Sequence, residues 1–336
     1  MTKDLERPGD LQDLVRLSVR VGSDPLLIQA AGGNTSVKDG DVMWIKASGT
    51  LLAEAGTRDI FVPVDLRAMR AALDDPGASA DQTAQFILGS ATLRPSIETS
   101  LHAVFSQRVV VHVHCVNTLA HVVCRGAETL LTPRLAGFDW CFVPYTKPGA
   151  NLAGQVRGRL GPNTNVVMLG NHGFIVAGDT VAEAEGILNR VVSALSLVPA
   201  APRAVDTEAL DDLVRPGWRV PNAKAAVHQL ALDPERMRQA SGGSLYPDHV
   251  IFCGIGATVV DGDLPEAADA PVFLLIPGKG AVIRADASQG AEALMNCLGD
   301  VLLRVPNEAE LSYLSLEQNA ELLNWDAEKY RQKLNA

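Results

Sequence analysis

Cysteine is scarce in this chain of 336 residues, and its spacing is uninformative. The five cysteines are scattered and form no C-x-x-C pair, at positions 115, 124, 141, 253 and 297. A chain of this length can fold without disulfides, so we expect buried free thiols and a reducing, cytoplasmic setting. The sequence also lacks an apolar run long enough to cross a bilayer and the apolar core of a signal peptide. We therefore expect no membrane partner.

Basic residues are outnumbered by acidic ones. Lys and Arg total 29 against 39 Asp and Glu, a formal charge of -10, and no segment concentrates the basic residues. A reader of the phosphate backbone needs such a basic patch, so we predict no nucleic-acid partner. The sequence contains neither a Walker A motif nor G-x-G-x-x-G, which argues against a nucleotide site. One small phosphorylated ligand could still be held by a few backbone N–H groups and hydroxyls.

Hydrophobic periodicity predicts mixed helices and strands over the first 200 residues. Helices are predicted at residues 11–21, 66–73 (capped by Asp65 or a neighbour), 97–105 and 181–197. Strands are predicted in a hairpin around the turn 38–41, in the β-branched run 109–114, in a short edge strand at 141–145, and in a hairpin around 170–173. The mixture of predicted helices and strands along the chain indicates an α/β domain.

The composition changes at the Pro/Ala stretch 199–202, which we take as the domain boundary. The predicted domains are residues 1–200 and a smaller α/β unit at 201–336. In the second unit, strands are predicted at 250–252, 272–276 and 281–283, and helices at 287–303, 308–314 and 316–334.

Two histidines stand two apart in the predicted strand 109–114. His112 and His114 would therefore project from one face, about 6.5 Å apart at Cα. One metal ion can take both, and a catalytic zinc site usually has three protein ligands. His172 is the candidate third ligand, because it lies in a Gly-Asn-His-Gly turn between two apolar strands. The pair alone is equally compatible with core or edge histidines bonded to backbone carbonyls.

Other polar groups have both a structural and a functional interpretation. Glu98 follows Pro95 and Ser96 at the start of a predicted helix, where its carboxylate would benefit from the positive end of the helix dipole and could simply cap the helix. Glu98 and His102 are four apart, a spacing also typical of surface helix stabilisation. The glycine-containing segments 32–36 and 48–50 could offer N–H groups and hydroxyls to an anion, although such hairpin ends are common without ligands.

Five motifs occur in one order: G-G-N-T-S, I-K-A-S-G-T, R-P-S-I-E-T-S-L-H-A, V-H-V-H and N-H-G-F-I-V-A-G. This ordered set resembles the class II aldolase/adducin family over about residues 11–197. The C-terminal part, with the segments 246–249 and 325–330, is similar to the extension in the rhamnulose-phosphate aldolase branch that is fused to a dehydrogenase.

The resemblance implies a three-layer α-β-α domain with a mainly antiparallel central sheet, and usually a homotetramer. It implies that His112, His114 and His172 bind a divalent metal (Zn²⁺, or another such as Mn²⁺ or Co²⁺) and that Glu98 is the catalytic acid/base. The positions that cradle the substrate phosphate are matched by Gly33, Asn34, Ser48, Gly49 and Ser96. Fuculose-phosphate aldolases have two serines before the acid, whereas this chain has Ser96-Ile97.

The implied activity is metal-dependent aldol cleavage of a ketose phosphate through a metal-stabilised enediolate. Three neutral imidazoles leave the ion its full double charge, so it can act as a Lewis acid on a ketose carbonyl. The same site chemistry serves decarboxylases and 4-epimerases of sugar phosphates, which stay as alternatives. An adducin-like binding module without catalysis is the alternative from another class, and the intact histidines argue against it.

Overall fold

A computed structural model describes residues 5–75 and 79–325 of the chain. The strands are β1 (Asn34–Asp39), β2 (Val42–Lys46), β3 (Phe61–Asp65), β4 (Val109–Val113), β5 (Trp140–Val143), β6 (Val166–Leu169), β7 (Gly173–Gly178), β8 (Trp218–Arg219), β9 (Thr258–Val259), β10 (Phe273–Ile276) and β11 (Gly280–Arg284). The mixture of helices and strands confirms the predicted α/β class.

The helices are likewise numbered in chain order. They are α1 (Leu11–Gly22), α2 (Leu66–Asp74), α3 (Thr99–Ala103), α4 (Val116–Val122), α5 (Ala127–Leu131), α6 (Ala150–Arg157), α7 (Val181–Ala194), α8 (Thr207–Asp211), α9 (Val227–Leu232), α10 (Pro234–Ser241), α11 (Pro247–Cys253), α12 (Gln289–Leu302) and α13 (Leu316–Leu323).

The chain divides into two compact units. Unit 1 comprises residues 1–115 and 128–195, and unit 2 comprises residues 116–127 and 196–336. The short segment 116–127, which carries α4, thus belongs to the second unit although it lies within the sequence of the first. The boundary at residue 200 stays a prediction.

Unit 1 is built on a seven-stranded sheet in the order β3-β2-β1-β4-β7-β6-β5. Neighbouring strands are antiparallel except for the parallel pair of β5 and β6, which confirms the mainly antiparallel sheet. β5 lies at the edge, as predicted for a strand followed by Pro144. Asn34 of β1 is opposite His112 of β4, and His112 is opposite Ile175 of β7.

Helices cover both faces of this sheet. On one face, Leu101 of α3 and Leu152 of α6 share a buried cluster with Val110 and Ile175. The opposite face is covered by α1 and α7. Ser18 of α1 hydrogen bonds to Thr35 there, because the Thr35 side chain points to the face opposite that of its two neighbours in β1. This arrangement confirms the expected three layers and places His112, on the same face as Val110, beneath α3.

Unit 2 contains a second sheet in the order β8-β11-β10-β9. Its core includes Trp218, Leu274 and Val282, and α9 packs against β11 while α11 and α13 pack on each other. The hairpin of β10 and β11 confirms the strands predicted at 272–276 and 281–283. The unit is a smaller α/β fold, as expected.

Two predicted elements of unit 2 are wrong. The apolar run 250–252 lies in the helix α11, which begins with Pro247 at its first position, so it is not a strand. Residues 308–314 form no helix, because Leu311 instead pairs with Cys124 and the carbonyl of Glu310 accepts from Arg125 N. The last predicted helix is observed as α13, and its continuation past residue 325, with most of the 325–330 segment, lies outside the described residues.

The hairpins at 34–46 and 166–178 and the N-cap of α2 by Asp65 are confirmed, and α3 is shorter than the predicted 97–105. The five cysteines are free thiols, of which Cys141 is half-buried and the others are buried. Within the part of the chain that the structure describes, no helix has the length and apolar character needed to span a bilayer.

Candidate metal centre

Three buried imidazoles converge at the end of β4. His112 Nε2 lies 3.1 Å from His114 Nε2 and 3.4 Å from His172 Nε2. One possible ligand atom from each of the three residues lies within 4.8 Å of the others. This is the grouping that the sequence predicted from histidines 60 residues apart.

Strand geometry and one tight turn bring the three rings together. His112 is in β4 and His114 follows two residues later on the same face. His172 lies in the turn between β6 and β7, where Asn171 has a φ of 54°. A Cβ on Gly173 would lie 2.3 Å from the Val113 carbonyl oxygen. Only glycine therefore allows this turn to pack so closely on the end of β4.

The donor set fits a divalent cation. His112 Nδ1 lies 3.0 Å from the Phe174 carbonyl oxygen, which can only accept, so Nδ1 donates and Nε2 of the neutral ring carries the lone pair. Tetrahedral Zn²⁺ with Zn–N bonds of 2.0–2.1 Å separates its nitrogen ligands by about 3.4 Å. The distances from His112 Nε2 to the Nε2 atoms of the other two histidines are close to that spacing. A cation held at this position would be bound through that lone pair, with His114 and His172 offering the other two nitrogens.

Glu98 lies directly beside the histidines. It precedes α3 without capping it through its side chain, so the capping interpretation is wrong. Glu98 Oε1 lies 3.6 Å from both His112 Nε2 and His172 Nε2, and within the described residues this oxygen accepts no hydrogen bond. Asn34 Nδ2 donates to the other oxygen, Oε2, at 2.6 Å. The carboxylate is therefore held from one side with its second oxygen aimed at the imidazoles.

His102 is buried rather than on a helix surface, so the surface-pair interpretation of Glu98 and His102 is wrong. His102 Nδ1 lies 2.8 Å from Ser36 Oγ. Burial above all, with a smaller electrostatic contribution from the neighbouring His112, Lys38 and Lys46, holds the pKa of His102 well below its usual value. The ring is neutral at neutral pH and contributes packing and one hydrogen bond behind Glu98.

The residues matched to the phosphate cradle lie on three neighbouring segments. Ser48 N donates to the Arg94 carbonyl, and Ser96 Oγ accepts from Glu98 N at 3.2 Å. Gly33 and Gly49 have positive φ angles of 62° and 74°. Their binding role stays a prediction.

Two of these residues have a structural role as well. A Cβ on Gly33 would lie 2.2 Å from Ile28 Cδ1 and 2.8 Å from the His112 carbonyl oxygen, so packing alone requires glycine. Asn34 makes its observed side-chain bond to Glu98.

Sequence reasoning missed Lys46. This residue is buried in β2, and its Nζ donates to the carbonyls of Ala31 and Gly33. A lysine inside the apolar run Met43 to Ala47 was the available signal, since lysine is almost never fully buried unless its ammonium is paired.

Comparison with known proteins defines the class. The model of the class II aldolase and adducin N-terminal domain matches residues 12–198, more than half of the chain. The chain therefore belongs to the class II aldolase and adducin family, as its motifs predicted, and its three buried histidines form a candidate metal site of that family.

Three individual proteins illustrate the likeness. The N-terminal class II aldolase domain of a conserved Thermoplasma acidophilum protein is 26% identical with a TM-score of 0.50, covering 57% of this chain and 95% of that one. Bacillus subtilis YuxG, described as an uncharacterized oxidoreductase, is 27% identical over 188 residues, which are 52% of this chain and 27% of YuxG. The chain thus spans about a quarter of that relative's length. A sugar-phosphate aldolase from Thermotoga maritima is 19% identical with a TM-score of 0.44, covering 56% and 94%, too distant to transfer its activity.

Proposed function

We propose that this protein is a metal-dependent aldolase, a carbon–carbon lyase that cleaves a ketose phosphate. The observation that carries the proposal is the position of Glu98 Oε1, 3.6 Å from two imidazole nitrogens of a buried three-histidine cluster. A carboxylate next to a cation site is placed to move a proton at a carbon or oxygen of a metal-held substrate.

His112, His114 and His172 would hold the cation, with Zn²⁺ the proposed ion and Mn²⁺ or Co²⁺ as alternatives. When bound, a divalent ion with neutral ligands polarises a substrate carbonyl and stabilises negative charge that develops on its oxygen. The chain's own contribution is orientation. Phe174 fixes the His112 ring through Nδ1, and Asn34 fixes the Glu98 carboxylate through Oε2.

The proton moves through Glu98. As the carbon–carbon bond breaks, the hydroxyl on the departing carbon loses its proton and becomes an aldehyde, and the electron pair of the bond stays on the ketose-derived fragment. Delivery of one proton to that carbon yields dihydroxyacetone phosphate, so no external oxidant or reductant is needed. Glu98 is 5% exposed, and this burial limits competing exchange of the proton with water.

The substrate group opposite the reacting centre is proposed to be a phosphate. Gly33, Asn34, Ser48, Gly49 and Ser96 are its proposed contacts. A homotetramer in the cytoplasm, with a catalytic domain at 1–200 and an extension at 201–336, is proposed by likeness to the family.

The test is a panel of ketose 1-phosphates given to the zinc-loaded protein, with products identified by mass spectrometry. We expect dihydroxyacetone phosphate and an aldehyde from at least one substrate. Release of CO₂ from an oxo acid phosphate, or a 4-epimer as the sole product, would replace the aldolase by one of its two alternatives.

Two variants separate catalysis from metal binding. His112→Ala should lose most bound zinc, because it removes a ligand, whereas Glu98→Gln should keep the zinc and lose turnover. Elemental analysis and the product assay measure the two effects. Wild-type protein that takes up no Zn²⁺, Mn²⁺ or Co²⁺ would favour a non-catalytic binding module.

A further inference from the structure

His228 is a fully buried histidine of unit 2, and both of its ring nitrogens contact the backbone. It lies in α9, and its residue is 0% exposed. Nδ1 lies 3.0 Å from Ala281 N of β11, and Nε2 lies 3.1 Å from the Asn222 carbonyl oxygen. One imidazole ring therefore connects the loop before α9, α9 itself and β11.

These two contacts fix the protonation state of the ring. A carbonyl oxygen can only accept, so Nε2 carries the hydrogen and donates it to Asn222. A backbone N–H can only donate, so Nδ1 keeps its lone pair for Ala281. Only the neutral ring satisfies both partners. A second proton would set an N–H on Nδ1 against the N–H of Ala281, and this contact would be lost.

The turn between β10 and β11 approaches His228 so closely that only glycine fits at position 280. A Cβ on Gly280 would lie 2.8 Å from His228 Nδ1 and 2.8 Å from Leu210 Cδ1. Gly278 N donates to the carbonyl of Ala231, three residues further along α9, at 2.8 Å. The turn is thus held on α9 by two hydrogen bonds, and the bond to His228 is the one that a proton can break.

The helix α9 is fixed from another side as well. It has six residues and no side-chain cap at its start, so its position depends on tertiary contacts rather than on its own stability. A Cβ on Gly299 of α12 would lie 2.4 Å from the carbonyl carbon of Ala226. Because α12 packs so closely on α9, a contact broken at His228 should displace the turn, whose residues 278 and 279 are exposed.

Neighbouring charges do not favour a proton on His228. The helix α9 packs against α10, α12, β10 and β11. The charged residues of these elements and of α8 are bonded to other side chains or exposed, namely Glu208, Asp211, Asp233, Glu235, Arg236, Arg238, Arg284, Glu292 and Asp300. Cys297 of α12 interacts instead with Tyr246 and Cys253. Lys224 and Lys279, on the two adjoining turns, are exposed.

Burial therefore dominates, and it lowers the pKa of His228 although the carbonyls of Pro221 and Asn222 favour the proton. The unfolded chain takes up this proton at about pH 6.5 and the folded chain only at lower pH. The stability that the neutral ring provides is therefore fully present above about pH 6.5 and is lost as pH falls through the lower, folded value.

We propose that His228 is a proton-sensitive latch of unit 2, whose neutral ring holds the β10–β11 turn on α9 and whose protonation releases that turn. The latch is closed at neutral pH and opens in acid. It concerns unit 2 alone and is independent of the proposed lyase activity.

The experiment is amide hydrogen exchange, followed by NMR, on zinc-loaded, full-length protein labelled with 15N-alanine and 15N-valine from pH 7.5 to pH 5. Each exchange rate is divided by the intrinsic rate at the same pH to give a protection factor. Protection of Ala281 should fall by about 10-fold for each pH unit once the latch titrates, because opening is linked to one proton. Val260 N donates to the Leu275 carbonyl on the β9 side of β10, so its protection should stay constant.

Two matched variants test the assignment to His228. His228→Gln should make the protection of Ala281 independent of pH, because a carboxamide oxygen can accept from Ala281 N and does not titrate. His249→Gln makes the same change at a second buried histidine of unit 2, whose Nε2 contacts the Gly256 carbonyl at 3.2 Å. It should leave the pH dependence at Ala281 as in wild type.

Constant protection of Ala281 in wild type across this pH range would overturn the latch. A parallel loss at Val260 would overturn it too, since the whole unit would then be unfolding. The same holds if His249→Gln removes the pH dependence at Ala281. The comparison of Ala281 with Val260 in wild type decides the matter if His228→Gln does not fold.

Discussion

Asn34 and Glu98 form a buried hydrogen bond between a strand and the start of a helix. Asn34 Nδ2 donates to Glu98 Oε2 at 2.6 Å, while Oε1 faces two histidines. An amide can only donate through Nδ2, so this contact occupies Oε2 and fixes which carboxylate oxygen stays available. The geometry gives Asn34 an orienting role at the proposed acid/base in addition to any contact with substrate.

Asn34→Ala should lower kcat by about 10- to 100-fold with zinc content unchanged, because a misplaced catalytic group costs that order of rate. Kinetics on the substrate found in the panel, together with elemental analysis, measure this. Ser36→Ala is the control, since Ser36 lies two residues along the same face of β1 and contacts His102 instead. A kcat loss as large in Ser36→Ala as in Asn34→Ala would contradict the specific role.

Lys38 gives the protein a pH-dependent stability. Burial and the neighbouring Arg70 lower its pKa from 10.5 to about 7. Between pH 7 and 10.5 the unfolded chain therefore holds a proton that the folded protein has released. The free energy of unfolding must rise with pH over this window, by at most ~1.4 kcal/mol per pH unit from this group, and the stability is lost as pH falls towards 7.

Lys38→Met should flatten that rise. Urea unfolding of wild type and variant at several pH values from 7 to 10 gives the two slopes, and Lys279→Met, at an exposed turn, is the control that should keep the wild-type slope. Identical slopes in wild type and Lys38→Met would show that Lys38 does not titrate in this range.

At the residue scale, the sequence predicted which histidines lie together better than it predicted the hydrogen-bond partners of the polar side chains around them. The H-x-H spacing fixes two rings on one strand face, and the glycine-flanked turn marks His172 as the candidate third residue, but its convergence on the pair depends on the pairing of β7 with β4. The contact of Asn34 with Glu98 depends on the pairing of β1 with β4 and on α3 covering that face. Such long-range register cannot be inferred from spacing within one segment.

At the element scale, the errors share a physical origin. Every residue of α11 is buried, and a short apolar run that is buried on all sides has no periodicity to distinguish helix from strand. Residues 308–314 have helical spacing, but the backbone around Leu311 pairs with residues 123–125. Tertiary hydrogen bonds override the local preference there.

Where the sequence carries a strong helix-capping residue, the helix begins at the predicted position. Asp65 Oδ1 accepts from Ala68 N at 2.8 Å and caps α2. Asp65→Ala should destabilise the protein by about 1 kcal/mol, since an unpaired N–H is left at the helix start. Urea unfolding measures the change. Asp65→Asn keeps the acceptor and should stay near wild type, so equal losses in both variants would exclude capping as the cause.

At the scale of the whole molecule, the two units are not consecutive in sequence. The chain runs from His114 through Cys115 directly into α4, which packs against α12 within unit 2. A composition change at residues 199–202 can indicate one crossing between units. It carries no signal for the earlier segment 116–127 of unit 2, because the residues of α4 are buried like those of any core helix.

Metal binding should couple to global stability, because the three imidazoles converge only in the folded chain. A ligand bound only by the folded state adds about 2.7 kcal/mol at 100 times its Kd, which raises Tm by roughly 5–10 °C for a unit of this size. Thermal unfolding with zinc and with a chelator measures the shift.

His172→Ala should abolish the zinc-induced shift in Tm. His228→Gln removes a buried histidine of unit 2 that contacts Ala281 N and the Asn222 carbonyl, so it should lower Tm yet keep the zinc response. An undiminished zinc shift in His172→Ala would place the ion elsewhere.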